Sequence, residues 1–412
     1  MQHDLDTDKV AVYFRLYLLL YADDTVILAE SAAELQASLN AMYLYCQTWK
    51  MQVNISKTKV VIFSRSRLNT DNMNFKYSGE SLNIVKNFQY LGIIFSCKGN
   101  FNDAKAHLVQ QARKAMFIVL RKARKLNLPI DMQLELFDTM VVPILLYGAE
   151  VWVFENCNII ENLHMQFCKI ILKVKKSTAH CMIYGELGRI PLHILIKARM
   201  VGFWQRIMCG KREKNSYTLY SILYQLSKRG IYHSKWLLDI KNTLYECGFN
   251  LMWDNQIIAK SDNISKNVKK CLSDKFMLNW SNNVMNSAKC LNYRIYKSDF
   301  CFEKYLTVLP SDLRMYLCKF RCLSNKLPIE TGRFFNIDRS ERHCNLCNAN
   351  ELGDEFHYLF KCTFFKNVRA KFLPLNICKN PNVLKFKELM NTSDLFTLTG
   401  IAKFCKSVIK TF

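Results

Sequence analysis

Residues 16–29 read Leu-Tyr-Leu-Leu-Leu-Tyr-Ala-Asp-Asp-Thr-Val-Ile-Leu-Ala, and the adjacent carboxylates Asp23 and Asp24 inside that apolar run constrain the chain more than any other feature. Two short strand-like runs flank a tight polar break, which predicts a buried hairpin with an acidic tip. Asp is favoured in turns, so the pair alone reads equally as a solvated turn. At the centre of an apolar hairpin, however, two like charges repel unless a cation lies with them. Such a tip supplies hard oxygen ligands of the kind that share Mg²⁺ with a phosphate.

The pattern continues as α+β to about residue 100. Ser31 with Glu34 forms an N-cap and capping-box pair. Leu35, Leu39, Met42, Tyr43, Cys46 and Trp49 then recur at helical spacing, predicting an amphipathic helix over 32–49. A strand is expected at Lys59–Phe63, a hairpin where Phe75–Tyr77 and Leu82–Val85 flank Gly79-Glu80, and further β structure at Phe88–Phe95, broken at Gly92. Beyond that the periodicity is helical. Segments 104–126 and 131–148 are separated by Pro129-Ile130-Asp131, a helix stop and start. Residues 161–207 continue in the same style. Residues 216–306, rich in Lys and Asn, read as a helical linker or loosely packed subdomain. No internal repeat or low-complexity tract occurs.

Composition narrows the partners. Fifty-eight Lys and Arg against 34 Asp and Glu leave +24 on 412 residues, yet half the residues are hydrophobic and 13% aromatic, which excludes a disordered basic tail. The length suits two or three domains. No apolar stretch reaches the roughly 18 residues of a spanning helix, and the longest, Val141–Phe154, carries Glu150. The polar, acidic start, Met-Gln-His-Asp, is the reverse of a signal peptide. The 17 cysteines are about 4% of the chain and odd in number, against the 8–10% of a disulfide scaffold. An intracellular, reducing compartment, nuclear or cytoplasmic, is expected. There the charge points to a polyanion, nucleic acid first, although charge alone does not separate it from an acidic membrane surface.

The charge is concentrated. Residues 101–126 hold Lys105, Arg113, Lys114, Arg121, Lys122, Arg124 and Lys125 against the single acid Asp103. Helical geometry sets Arg113, Lys114, Arg121 and Lys125 mostly opposite Leu108, Ala112, Phe117 and Leu120. Lys169, Lys173, Lys175 and Lys176 form a second run with no acid inside it. Each is a solvated face or a phosphate-contacting one, and two runs on a chain of this charge favour phosphates.

Near the C-terminus, Cys344-x2-Cys347-x9-His357-x4-Cys362 has the spacing of one tetrahedral zinc site. Four protein ligands leave no open position, so the role is structural. His343 is a possible substitute ligand. Cys318-x3-Cys322 is explained by apolar helix periodicity.

Several segments resemble those of reverse transcriptases, and more specifically of the non-LTR (LINE-like) retrotransposon group. Tyr21-Ala22-Asp23-Asp24 is similar to the family's Tyr/Phe-x-Asp-Asp metal motif. In the family's order follow Asn54-Ile55-Ser56-Lys57-Thr58-Lys59, Phe88-Gln89-Tyr90-Leu91-Gly92, Tyr147-Gly148-Ala149-Glu150-Val151-Trp152 and Glu186-Leu187-Gly188-Arg189-Ile190-Pro191. His357-Tyr358-Leu359-Phe360-Lys361-Cys362 also resembles the zinc-binding segment C-terminal to the polymerase domain, where partner binding is the implied role, and Arg339, Arg342, Lys361, Lys366 and Arg369 nearby are read as exposed basic residues that fit it.

The resemblance implies RNA-directed DNA synthesis, with Asp23 and Asp24 as ligands of catalytic Mg²⁺. Tyr21 and Lys57 would lie near the incoming deoxynucleotide, and Tyr90, Leu91 and Gly92 would steady the primer end. Arg113, Lys114, Arg121, Lys122, Lys125, Lys173 and Lys176 would grip RNA or DNA from thumb-like helices, with zinc on Cys344, Cys347, His357 and Cys362. No membrane and no small molecule beyond deoxynucleotides is expected as a partner. The expected architecture is α+β: a partial palm over 1–100 (antiparallel sheet plus helix), a basic thumb and post-thumb region over 101–215, a helical connector over 216–309 and a small zinc-binding domain over 310–412.

One departure matters. Two-metal transfer needs another carboxylate on a different palm strand, and only 22 residues precede Asp23. Asp4, Asp6 and Asp8 lie too close in sequence and in polar surroundings. The chain therefore reads as the C-terminal part of a polymerase, lacking fingers and inactive alone. The alternative is a non-catalytic remnant that binds nucleic acid through its basic helices and zinc module.

Overall fold

The computed structural model describes residues 18–64, 73–152 and 157–412. Three small sheets precede a helical body. Strands β1 (Leu18–Tyr21) and β2 (Asp24–Ile27) pair antiparallel, and α1 (Ala32–Thr48) follows. A three-stranded sheet has the order β3-β5-β4, from β3 (Lys59–Val60), β4 (Phe75–Tyr77) and β5 (Glu80–Ile84), with β3 parallel to β5. A second hairpin joins β6 (Asn87–Tyr90) to β7 (Ile93–Ser96).

Local chemistry accounts for these elements. Ser78 and Gly79, and again Leu91 and Gly92, take positive φ (51° and 83°, 47° and 80°), the two-residue turn that matches strand twist. The Ser31 hydroxyl accepts from the Glu34 backbone N–H at 3.2 Å, capping α1, while the Glu34 carboxylate reaches one residue further back, to the Glu30 N–H. Gln36 clamps α1 to the sheet by a reciprocal pair of bonds with the Lys76 backbone, 2.8 and 2.9 Å. Leu39, Val60, Phe75, Tyr77 and Leu82 form the small core beneath.

Three expectations fail here. The first hairpin is not buried: Leu20 and Tyr21 are 66% and 64% exposed. Trp49 is exposed too, because α1 directs only Leu39 and Cys46 fully inward. The strand expected over Lys59–Phe63 pairs only at Lys59 and Val60.

From α2 (Asn102–Lys125) onward the chain is helical. Helix α3 (Ile130–Leu136) runs through a π-helical turn, Phe137–Val141, into α4 (Val142–Leu145), and α5 (Ala149–Trp152) is a single turn. Then come α6 (Asn158–Leu172), α7 (His180–Leu187), α8 (Leu192–Met208), α9 (Asn215–Lys228), α10 (Lys235–Glu246), α11 (Asn250–Asn255) and α12 (Ile264–Asn286). The chain continues with α13 (Tyr293–Tyr296), α14 (Tyr305–Val308), α15 (Ser311–Arg321), α16 (Pro328–Phe334), α17 (Lys366–Phe372), α18 (Leu375–Cys378), α19 (Val383–Met390) and α20 (Leu395–Thr411). One continuous core runs from Leu108 in α2 to Val408 in α20. The segment expected to be loose instead helps build a second core, in which Trp204, Tyr220, Leu237, Ile240, Trp253 and Val268 are buried. Its polar tips are satisfied: the Trp204 indole donates to the Tyr220 hydroxyl at 2.9 Å, and that hydroxyl donates to Gln256.

The segment Glu186–Pro191 is a junction, and its Glu, Gly and Arg each have a structural reason. Glu186 and Arg321 are fully buried and paired, with Nε and Nη2 of Arg321 at 2.9 and 3.1 Å from the carboxylate. Arg321 also meets Glu303 at 3.2 Å, donates to the Met390 carbonyl at 2.8 Å, and lies against the Tyr296 and Tyr305 rings. Gly188 ends α7 at φ +55°, where a Cβ would come within 2.4 Å of the Phe302 nitrogen, so no side chain fits. Arg189 forks onto both oxygens of Asp138 and donates to His164 Nε2, which leaves the His164 ring proton on Nδ1, facing Glu161. Glu161 also accepts from the His193 backbone at 2.6 Å. Burial acts to raise the Glu161 pKa, but donation by His164 and His193 outweighs it and brings it down to about 2.

Two predictions follow from these pairs. Arg321→Met strands a buried carboxylate and lowers stability in urea unfolding by roughly 3–5 kcal/mol. Adding Glu186→Leu recovers part of that loss; a double variant no more stable than the single one refutes the pairing. For Glu161 the folded pKa lies below the ordinary 4.5, so its contribution is present above that value and lost as pH falls toward 2. The melting temperature of the native chain therefore drops over that window more steeply than that of Glu161→Gln.

Candidate metal and nucleic-acid sites

Asp23 lies in a two-residue turn, Ala22-Asp23, and Asp24 is the first residue of β2. Tyr21 pairs with Asp24, and Ala22 takes φ +52° to close the loop. Both carboxylates and the Tyr21 ring are exposed. Among the described residues no third acidic, cysteine or histidine side chain gathers with them. Asp4, Asp6 and Asp8 lie outside the described residues. As described, the turn offers a cation two adjacent carboxylates without a bridging partner.

Lys57 is exposed in the turn between α1 and β3. Asn54 organises that turn: its side-chain oxygen accepts from the Ser56 hydroxyl at 2.7 Å and the Lys57 N–H at 3.2 Å, and its carbonyl from the Thr58 hydroxyl at 2.9 Å. The Asn and Thr of this segment thus have a structural reason, and the Lys57 side chain is exposed to solvent.

Tyr90 pairs with Ile93 across the Leu91-Gly92 turn. Tyr147, which sequence reasoning left without a role, closes on this turn from the helical body. Its hydroxyl donates to the Leu91 carbonyl at 3.1 Å, and a Cβ on Gly92 would come 3.2 Å from its ring. The Trp152 indole in turn donates to the Tyr147 carbonyl at 2.8 Å. No local signal marks the contact, which spans 56 positions of sequence.

Arg113, Lys114, Arg121, Lys122, Arg124 and Lys125 are exposed on α2, whereas Lys105 is buried. Phe117 is not opposite them as expected; it and Ile118 are 48% and 42% exposed among the basic residues. Arg113 donates to Gln166 at 2.6 Å, which holds it against α6. The second basic run is largely tied back into the fold. Lys169 donates to the Lys176 carbonyl at 2.6 Å, Lys173 to the Ser311 hydroxyl at 3.1 Å, and Lys175 to the Asn325 carbonyl. Burial and the neighbouring Lys289 lower the Lys169 pKa. Lys173 and Lys176 are both exposed, Lys173 at the left-handed cap of α6 (φ +55°).

Cys344, Cys347, His357 and Cys362 converge, with one ligand atom from each within 4.8 Å of all the others. The Cys344–Cys362 sulfur separation is 3.9 Å, and Cys347 Sγ lies 3.4 Å from His357 Nε2. Ligands around one tetrahedral zinc would stand about 3.8 Å (S to S) and about 3.6 Å (S to N) apart. The donor set and its spacing fit zinc, and none of the 17 cysteines is in a disulfide. Burial raises the Cys344 thiol pKa, but donors around it, Tyr358 and the Leu346 N–H among them, outweigh burial and bring it to about 7. His343 stays outside the group.

The surrounding shell was not apparent from the sequence. Glu351 accepts from His357 Nδ1 at 3.1 Å, leaving Nε2 for a metal, and also holds Lys361 at 3.0 Å. Asp354 caps the turn that carries His357, accepting from its N–H at 2.9 Å. Arg369, expected at the surface, is buried, and its guanidinium satisfies the carbonyls of Tyr358, Leu359 and Cys362. Arg342 is likewise occupied by the Ile329 and Ile337 carbonyls.

Comparison with known proteins bears on the N-terminal part of the chain. Residues 3–95 match the family described as reverse transcriptase (RNA-dependent DNA polymerase). An uncharacterized transposon-derived protein of Caenorhabditis elegans is 28% identical over 141 residues, which cover 34% of this chain and 49% of that protein. The chain thus spans about half the length of this curated relative. Among the described residues no helix is long and apolar enough to cross a membrane.

The metal reading is tested by elemental analysis of purified chain, with one zinc per chain expected and loss on His357→Ala. Glu351→Gln, which touches no metal directly, is expected to weaken zinc affinity roughly 10–100-fold. Unchanged affinity in that variant refutes its orienting role.

Proposed function

We propose that this chain is a reverse-transcriptase-like protein of the non-LTR retrotransposon kind that holds RNA or DNA. In this reading α1 and the small sheets are a palm portion, and α2 to α8 serve as thumb-like helices. The Cys/His module is a structural zinc site beside the nucleic-acid path. The observation that carries the reading is the Asp23-Asp24 pair at the tip of the first hairpin, inside the stretch similar to reverse transcriptases. The exposed basic face of α2 supports it by offering sequence-independent contacts to phosphates.

Asp23 would hold Mg²⁺, which supplies charge neutralisation for the triphosphate; the primer 3′-hydroxyl would form a bond to the α-phosphorus as the α–β phosphoanhydride bond breaks, with pyrophosphate leaving and the hydroxyl proton passing to water. The chain's own residues would orient the partners: Lys57 near the triphosphate, and the Leu91-Gly92 turn, braced by Tyr147, at the primer end. One observation favours a second reading, binding without catalysis. The acidic turn has no third carboxylate beside it among the described residues.

Primer extension on an RNA template with Mg²⁺, run beside Asp23→Asn, separates the two. Extension lost in the variant supports catalysis. Its absence in both, with duplex binding retained, supports the binding reading. In either case Lys114→Ala/Arg121→Ala is expected to reduce the slope of log affinity against log salt by about 2, since each lost phosphate contact removes roughly 0.9.

A further inference from the structure

A polar cleft of about 400 Å³ opens between α8 and α12, lined by Glu150, Arg199, Gly202, Gln205, Arg206 and Ser265. Its floor is made where the helices touch. The Ser265 hydroxyl donates to the Ala198 carbonyl at 2.8 Å, and a Cβ on Gly202 would press to 3.2 Å from Ser265. Arg199, Gly202 and Arg206, spaced i, i+3 and i+7, share one face of α8. Both arginines border the cleft on either side of a glycine that leaves the floor bare, Arg199 donating to the Leu146 carbonyl at 3.5 Å and Arg206 lying over the Phe203 ring. Gln205 forms part of the wall and ties down the chain before α12 through the Ala259 and Asp262 carbonyls. Glu150 enters from α5, the turn held to α10 by the Trp236 indole at 2.8 Å from the Glu150 carbonyl.

The lining selects the ligand. Two arginines make the cleft anion-seeking, and an apolar guest would strand them. One carboxylate beside two guanidinium groups disfavours a metal ion. A bare inorganic anion would have Glu150 as a repulsive neighbour. A guest that satisfies all three carries an anionic group together with N–H or O–H donors. We propose that this cleft binds a nucleoside phosphate. Arg199 and Arg206 take the phosphate oxygens through charge-assisted bonds, and Glu150 accepts from the base or sugar. Guanine, with two adjacent N–H donors on one edge, is the base best matched to a carboxylate. The phosphate belongs either to a free nucleotide or to the 5′ end of a strand. The site goes beyond the polymerase-like reading and does not depend on the acidic turn or on α2.

The test is titration calorimetry of the full chain with GMP, guanosine, inorganic phosphate, and a G-initiated pentanucleotide bearing either a 5′-phosphate or a 5′-hydroxyl. GMP is expected to bind more tightly than guanosine or phosphate. Arg206 is exposed, with its guanidinium 5.5 Å from the Phe203 ring centre, so Arg206→Ala leaves the core untouched. That variant is expected to lose roughly tenfold or more in GMP affinity. Glu150→Ala is expected to weaken GMP but not inorganic phosphate. Binding of GMP identifies a free nucleotide as a sufficient source, and binding confined to the 5′-phosphorylated strand identifies a strand end. No heat with any ligand at millimolar concentration, in a chain whose circular dichroism melt is cooperative, overturns the proposal. So does GMP affinity unchanged by both substitutions. Lys114→Ala/Arg121→Ala, which disables the α2 face, is expected to keep GMP binding, so failure at one surface is read apart from failure at the other.

Discussion

The buried guanidinium of Arg321 is the point through which the helical body is joined. A charge taken out of water is stable only when every donor is engaged. Here Glu186 comes from α7, Glu303 from the turn before α14, the Met390 carbonyl from the end of α19, and Tyr296 and Tyr305 contribute their ring faces. Tyr305 also donates to Glu186 at 2.5 Å, so the carboxylate is saturated from the other side. Hydrophobic contacts could hold these helices at many relative positions. The ion pair admits far fewer, because each partner must arrive at hydrogen-bonding distance at once. The continuous core from α2 to α20 is arranged around that requirement, and Gly188 gives the chain the bare backbone it needs beside Phe302.

The same principle governs the Cys/His module on a smaller scale. Arg369 takes up carbonyls in and just after a second π-helical turn, His357–Lys361, Asp354 caps that turn, and Glu351 directs the imidazole. The four ligand atoms converge because the backbone around them is already satisfied.

Much of the local structure was legible because it rests on residues close in sequence. Gly79 and Gly92 announced their turns, Ser31 with Glu34 the start of α1, Pro129 the break between α2 and α3, and the Cys–His spacing the convergence of its members. What was not legible depends on distant partners. Nothing near Lys175 indicates that its ammonium caps the Asn325 carbonyl 150 positions away, and nothing near Tyr147 names the Leu91 carbonyl. The apolar run of the first hairpin suggested burial, but a strand's hydrophobicity states only that it can be covered, not by what. Phe117 shows the reverse error: an aromatic at helical spacing was assigned to the core, while Met116 and Val119 fill it beside Leu108, Ala112 and Leu120.

The five-residue core under α1 has a consequence for how the molecule breathes. Cooperative units open in order of their own stability, and units with little buried apolar surface open first. The first hairpin, the three-stranded sheet and α1 draw on that small core, while the helices, with Ile93 of β7 packed on them, share one that extends over most of the chain. Amide hydrogens of the first hairpin therefore exchange with solvent before those of the helical body, and the acidic tip rides on a part of the protein with a low opening free energy. Any surface that comes to cover Leu20, Tyr21 and Trp49 gains their apolar area and also raises that opening free energy, so rigidity at the carboxylates is conferred by contact and is not inherent in the hairpin.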